Sequence, residues 1–215
     1  RWWLGQEGVD LTGLARAEGQ RTTRFELQYS AGLFDRTLVL KSKAPSITIE
    51  DLPNPLKACA VHIAPIAGEI TYEVAEKLKK CADVLSLDPQ GLVRSFGENG
   101  QITHIPLADQ RILELVNIYK SSLQEIEAVT GLSELTPAIK AVHDRGAEIV
   151  LVTLGAKGAA LSFEGTVYNV PACKSEKLVD PTGAGDAFIG GFLSEYVNGE
   201  NILRCACVGA ATASF

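Results

Sequence analysis

From residue 58 onward, short apolar runs alternate with longer polar or amphipathic stretches, and this alternation constrains the fold more than any other feature of the sequence. The runs are residues 58–63 (ACAVHI), 84–87 (VLSL), 116–119 (VNIY) and 148–153 (EIVLVT). Strands of that length separated by helices predict an α/β domain, with a mostly parallel sheet flanked by helices. Among the helices, residues 71–80 (TYEVAEKLKK) place Val74, Ala75 and Leu78 on one face with charges opposite. Residues 136–144 open with Thr136 as a cap and Pro137 at the first helical position, and Gly146 closes them. Residues 159–163 and 167–170 predict a hairpin. An earlier hairpin is expected from residues 22–29 and 36–41, β-prone segments flanking the turn-rich residues 30–35. The proline-rich joint at residues 51–55 (DLPNP) then divides a partial β lid and connecting segment, residues 1–50, from an α/β core, residues 51–215.

With 46% hydrophobic and 21% charged residues, 215 residues can bury one substantial core. The net charge of -6 and a pI near 5.2 argue against nucleic acid or a membrane surface as partner and favour a small molecule. No apolar run reaches the roughly 18 to 20 residues that span a bilayer, and the opening Arg1-Trp2-Trp3 lacks the core of a signal peptide. A cytoplasmic protein is expected. The five cysteines form no CxxC pair and are expected as buried free thiols. The absence of methionine and an ending, CVGAATASF, inside a helical pattern suggest a chain incomplete at both ends.

Ligands of open α/β sheets gather at the carboxyl ends of the strands, which directs attention to residues 65–69, 88–91, 120–125 and 155–158. Residues 180–192 (DPTGAGDAFIGGF) join them if they too lead into a helix above the sheet. Glycines at 183 and 185 permit unusual or closely approached backbone, and the following AFIGGFLSEYV reads as a helix ending near Asn198-Gly199. The unpaired N–H groups and positive dipole end of such a helix favour an anion, naturally a phosphate. Asp186, in the same first turn, can take a proton from a hydroxyl placed beside that anion, so the pair describes phosphoryl transfer to an alcohol. The same spacing also fits a plain capped helix, with Asp180 or Thr182 as cap and Asp186 complementing the dipole. A Rossmann fingerprint fits poorly because Phe188 stands where the third glycine belongs, and no Walker A loop occurs.

DPTGAGDAFIGGF resembles the C-terminal signature of the PfkB (ribokinase-like) carbohydrate kinases, D-T-x-G-A-G-D. VLVTLGAKGAAL (residues 150–161) is similar to the family's strand-turn-strand before the nucleotide, SSLQEIEAVTG (residues 121–131) to its N-x-x-E segment, and the early hairpin to its substrate-covering lid. The resemblance implies a ribokinase-like fold and a magnesium-dependent enzyme using ATP. It makes Asp186 the catalytic base and Gly183, Ala184 and Gly185 the anion hole; Gly155, Gly158 and Thr182 lie near the nucleotide, and Glu125 near magnesium and phosphate. Ser122 departs from the usual asparagine, and the family's N-terminal glycine pair that grips the sugar has no counterpart.

For the acceptor, residues 84–94 (VLSLDPQGLVR) place Asp88 and Gln90 where substrate or phosphates lie, and with TTRFEL they resemble the inositol-kinase-like branch. A sugar or polyol such as myo-inositol is therefore expected, with Arg24, Glu26 and Arg36 of the lid as further candidates for its hydroxyls. A nucleoside kinase and a non-catalytic nucleotide- or sugar-binding protein stay open. His62 and Glu69 flank HIAPIAGE and read more readily as structural, and an open lid edge can pair two copies into a homodimer.

Overall fold

The computed structural model describes residues 2–29, 36–173 and 181–214. A short helix α1 (Trp2–Gln6) precedes the lid hairpin of β1 (Arg24–Tyr29) and β2 (Arg36–Ser42), in which Leu27 faces Leu38. The expected turn at residues 30–35 lies outside the described residues. The core then runs β3 (Ala58–Ile63), α2 (Tyr72–Lys79), β4 (Ala82–Leu87), a small hairpin of β5 (Arg94–Phe96) and β6 (Ile102–His104), β7 (Ile118–Ser122), α3 (Leu123–Thr130), α4 (Leu135–His143), β8 (Ile149–Thr153), β9 (Ala159–Phe163), β10 (Thr166–Val170), α5 (Ala184–Val197) and α6 (Ile202–Thr212).

The sheet has six strands in the order β10-β9-β8-β7-β4-β3. β3, β4, β7 and β8 are parallel, while β9 and β10 return antiparallel. The mostly parallel α/β architecture read from the sequence is thus the one observed, with a β lid beside it. Successive strand residues point to opposite faces, and the core divides accordingly. Leu85, Leu87, Tyr119, Val150 and Val152 join a cluster with buried residues of α2, α3 and α4. Ile118, Ile149, Leu151, Ala159 and Leu161 join a second cluster with Phe188, Ile189 and Phe192 of α5 and Cys205 and Ala206 of α6. The sheet is therefore covered on both faces, and α5 and α6 cover the second.

Three expectations need correction. The fourth helix starts at Leu135 with Glu134 as N-cap, so Thr136 is not the cap and Pro137 sits third in the helix. Proline is tolerated there because the N–H groups of a first turn have no intrahelical partner to lose. The strand expected at residues 116–119 begins at Ile118, and Asn117 before it bonds through both backbone and side chain: its N donates to Leu85 O at 2.9 Å, its Oδ1 accepts from Leu85 N at 3.0 Å and from Lys79 Nζ at 2.5 Å, and its Nδ2 donates to Glu148 at 2.9 Å. The cysteines are free, but only Cys205 is buried; Cys59 lies exposed on the outermost strand β3 and Cys207 on the outer side of α6.

The hairpin of β5 and β6 had no counterpart in the sequence reading, since three-residue strands are too short to show alternation. It extends the lid: Val39 bridges Gln101, Leu40 N donates to Gly100 O at 2.8 Å, and the rings of Phe25 and Phe96 lie 6.1 Å apart.

Candidate active site

Strand alternation delivers a set of polar side chains to the face that α5 covers, at the carboxyl edge of the sheet. On β4, Val84 packs into the α5/α6 cluster, so Ser86 follows on that face and Asp88 follows again just past the strand end. On β7, Ile118 points the same way, and Lys120 follows it. On β3, His62 is flanked by Val61 and Ile63 of the opposite cluster, pairs in register with Ser86, and has its Nδ1 3.0 Å from Ser86 Oγ.

The register of β4 and β7 sets Leu87 beside Tyr119, which brings the next pair, Asp88 and Lys120, together. Lys120 Nζ donates to Asp88 Oδ2 at 2.5 Å, and Asp88 Oδ1 accepts from Gln90 N at 3.1 Å. Asp88 is 1% exposed and Lys120 3%. A pair this deep is costly to desolvate, and removing one partner strands the other charge at a cost of about 3 to 5 kcal/mol.

Above this pair stands the N-terminus of α5. Its N-cap is Gly183, at φ 81°, a left-handed conformation that side chains rarely adopt, and glycine itself has no side chain to cap the turn. Thr182 is thus not at the cap position, and Asp180 lies outside the described residues. Asp186 occupies the first turn with its side chain exposed to solvent. The two levels touch at Gly185: a Cβ built there would fall 2.7 Å from Lys120 Nζ. The charges of Asp88, Lys120 and Asp186 all reach His62. Burial holds the His62 imidazole below its usual pKa; the two carboxylates oppose that shift, while Lys120 adds to it. His62 Nε2 is buried without a hydrogen-bond partner among the described residues.

The remaining candidates are spread along the same edge. Gly155 and Gly158 follow β8 at φ 61° and 91°, where Leu154 N donates to Gly158 O at 2.7 Å and a Cβ on Gly158 would strike Val170 O. Both therefore answer the backbone of a tight turn, whatever the turn holds. Glu125 is 5% exposed and closes a capping box on α3: its Oε2 accepts from Ser122 N at 2.7 Å, while Glu125 N donates to Ser122 Oγ at 3.3 Å. Ser122 is thus a good helix cap. Gln90 opens a 3₁₀ turn after Asp88. In the lid, Glu26 pairs with Lys41 at 3.1 Å and Arg24 is exposed, with no described contact to the residues around Asp186. Arg36 keeps its backbone place at the start of β2, but its side chain is outside the described residues. Glu69 accepts from the backbone of Ile66 and Ala67, the structural role expected of it.

Sequence reasoning missed Lys120 as more than a member of a strand end. The signal was present: a lysine two residues after Ile118 in a run otherwise apolar or small falls on a covered face, where an ammonium needs a partner.

The carboxyl-edge helix N-terminus with its exposed first-turn aspartate can be set beside known proteins. The model of the pfkB family carbohydrate kinases matches residues 3–215. The chain belongs to that family. A nucleoside kinase of Methanocaldococcus jannaschii is 44% identical over 157 residues, covering 72% of this chain and 47% of its own length. An inositol 3-kinase of Zea mays is 30% identical over 193 residues, covering 87% of this chain and 48% of its own. A sulfate complex of a pyrophosphate-dependent kinase in the ribokinase family superposes with a TM-score of 0.79 at 29% identity, covering 90% of this chain and 69% of that one. The fold is thus the ribokinase fold, and the chain spans about half the length of the curated relatives it matches.

The His62 environment predicts a pH effect. The folded pKa lies below the unfolded value of about 6.5, so the unfolded chain takes the proton first as pH falls. The stability that depends on a neutral His62 is complete above the unfolded pKa and is lost on acidification toward the folded one. In urea titrations of wild type and His62→Asn, the wild type should lose more unfolding free energy than the variant between pH 7 and pH 5; equal losses would contradict this environment for the ring.

Proposed function

We propose that this chain carries the phosphoryl-transfer centre of an ATP-dependent kinase acting on a hydroxyl of a small sugar or polyol, with a myo-inositol-like acceptor as first choice. The observation that carries this reading is the glycine-capped N-terminus of α5, standing over the carboxyl edge of the sheet with Asp186 exposed in its first turn. The Asp186 carboxylate takes the acceptor's hydroxyl proton as its oxygen forms a bond to the γ-phosphorus. The bond from that phosphorus to the bridging oxygen breaks, and ADP leaves with the electron pair. Backbone N–H groups of Gly183 and Gly185 face the charge that develops on the transferred group, where fixed donors contribute most; the Ala184 N–H, which donates to Pro181 O at 3.2 Å, turns to the anion only by sharing that bond. Gly155, Gly158 and Thr182 line the approach of the nucleotide, while Gln90 and Arg24 are the acceptor-side candidates. Asp88 supports the centre from below through Lys120 rather than from the open cleft, since it is buried and both its oxygens are engaged.

No three His, Cys, Asp or Glu side chains converge among the described residues. That suits magnesium, which is commonly held by substrate phosphates and waters with one or two carboxylates. Glu125 is the carboxylate at the right edge that would hold the ion, its Oε2 already serving the capping box. When bound, the ion would neutralise charge on the phosphate oxygens.

A nucleoside acceptor is the second reading, favoured by the 44% identity to the Methanocaldococcus jannaschii nucleoside kinase. The inositol 3-kinase of Zea mays supports the first. Because the structurally similar ribokinase-family enzyme is pyrophosphate-dependent, the donor belongs in the same test. ADP release from ATP and magnesium, and phosphate release from pyrophosphate, are measured with myo-inositol, ribose, fructose, ketogluconate and nucleosides. We expect acceptor-dependent ADP with one polyol and a loss of about 10² to 10⁴ in kcat for Asp186→Asn, the range of a general base. Full activity in that variant would remove Asp186 from the role.

The chain is read as a cytoplasmic enzyme that pairs through its lid. No described helix is long and apolar enough to cross a membrane, and the described cysteines are free. The outer edge of β1 has no strand beside it among the described residues, which leaves backbone groups for a second copy. Light scattering should then give a dimer mass that Leu27→Pro, which removes an N–H from that strand, reduces to the monomer. An unchanged mass would place any dimer elsewhere.

A further inference from the structure

We infer that Lys120 is a third element of the anion cradle, its ammonium reaching the transferred phosphoryl group from the sheet side while the first N–H groups of α5 reach it from the helix side. This deepens the phosphotransferase reading and rests on it for the identity of the anion.

Lys120 is held where strand alternation puts it, 3% exposed on the face that α5 covers. An ammonium carries three protons. Asp88 takes one at 2.5 Å, and no other acceptor engages Lys120 among the described residues. The free protons lie next to Gly185, whose Cβ would come within 2.7 Å of Nζ and 3.5 Å of Cε. Gly185 is not among the positive-φ glycines. Its lack of a side chain is therefore not demanded by the turn, as it is at Gly183, but by the ammonium beneath it.

The charges then point to a guest. A lysine ammonium beside a helix N-terminus meets the positive end of the dipole, which repels it. Asp88 offsets the lysine's charge but does not reach the helix end, whose N-cap is a glycine, and Asp186 is exposed rather than paired with Lys120. An anion beside the turn, within reach of both Nζ and the first-turn N–H groups, turns that repulsion into two attractions. A phosphoryl group fits, because the charge spread over its oxygens during transfer can be met from two sides at once.

The bland role for Lys120 is a structural counter-ion to Asp88. The two roles separate on anion binding and on kinetics. Inorganic pyrophosphate with magnesium is titrated calorimetrically into the full chain, and kcat and the acceptor KM are measured with the acceptor found active, for Lys120→Gln, Asp88→Asn and the double variant. The double variant leaves a neutral, hydrogen-bonded pair, so it stays folded where the single lysine variant strands Asp88; a thermal melt checks this. We expect Lys120→Gln and the double variant to weaken pyrophosphate at least about 10-fold and lower kcat about 10²- to 10³-fold, as for loss of one charge-stabilising donor. The acceptor KM should stay within about 3-fold. Asp88→Asn, which frees the ammonium, should hold or tighten pyrophosphate.

A folded double variant with wild-type pyrophosphate affinity and kcat overturns the inference. So does an equal loss of affinity in the two single variants, the mark of a structural pair. The kinase reading fails separately: if the wild type turns over no acceptor but binds pyrophosphate in a Lys120-dependent way, the cradle stands without the proposed reaction. If Asp186→Asn abolishes turnover while Lys120→Gln keeps it, the reaction stands and the role of Lys120 falls.

Discussion

An ammonium buried at the carboxyl edge of a parallel sheet is the constraint around which the site is arranged. Lys120 cannot be left without a partner at 3% exposure, and the register of β4 against β7 supplies Asp88 beside it. That single ion pair ties the ends of two neighbouring strands together. Its ammonium also lies directly beneath Gly185, where a Cβ would fall 2.7 Å from Nζ, so the pair borders three elements at once.

The glycines around Asp186 divide between two physical demands. Gly183 ends the incoming chain in a left-handed conformation and so aims the first turn of α5. Gly185 has ordinary helical backbone and makes room for a charge. Behind them, Phe188, Ile189 and Phe192 anchor the helix in the cluster shared with α6 and the sheet. On the proposed reading the turn holds a phosphate and must not shift when the anion arrives. The apolar helix that follows the motif directly would supply that rigidity, a reason for a polar, glycine-rich turn to run straight into a buried segment.

Much of the fold was legible because it is governed by period and punctuation. The β3 strand was read to the residue, and α2 was recognised to within a residue at each end, because apolar runs and an amphipathic stripe announce themselves within a few residues. Boundaries failed where a side chain joined the backbone bonding, as Asn117 does just before β7, and where a proline was tolerated deeper in a first turn than its usual place, as at Pro137. The site was legible in its upper half, since GAGD is a compact string of one turn. Its lower half depends on pairings between residues 32 apart in sequence, such as Asp88 with Lys120. No local pattern encodes which strand lies beside which, and the lid hairpin of β5 and β6 escaped for the related reason that its strands gain meaning only by bridging to β2.

The central claim, that the N-terminus of α5 receives the transferred phosphoryl group, is tested most directly by a crystal structure of the full chain with ADP, magnesium and aluminium fluoride, a mimic of the group in transfer. The fluoride should sit within hydrogen-bond distance of the N–H groups of residues 183–185, with Asp186 facing the side from which an acceptor hydroxyl approaches. A fluoride bound elsewhere along the carboxyl edge, with the first turn of α5 empty, would contradict the claim.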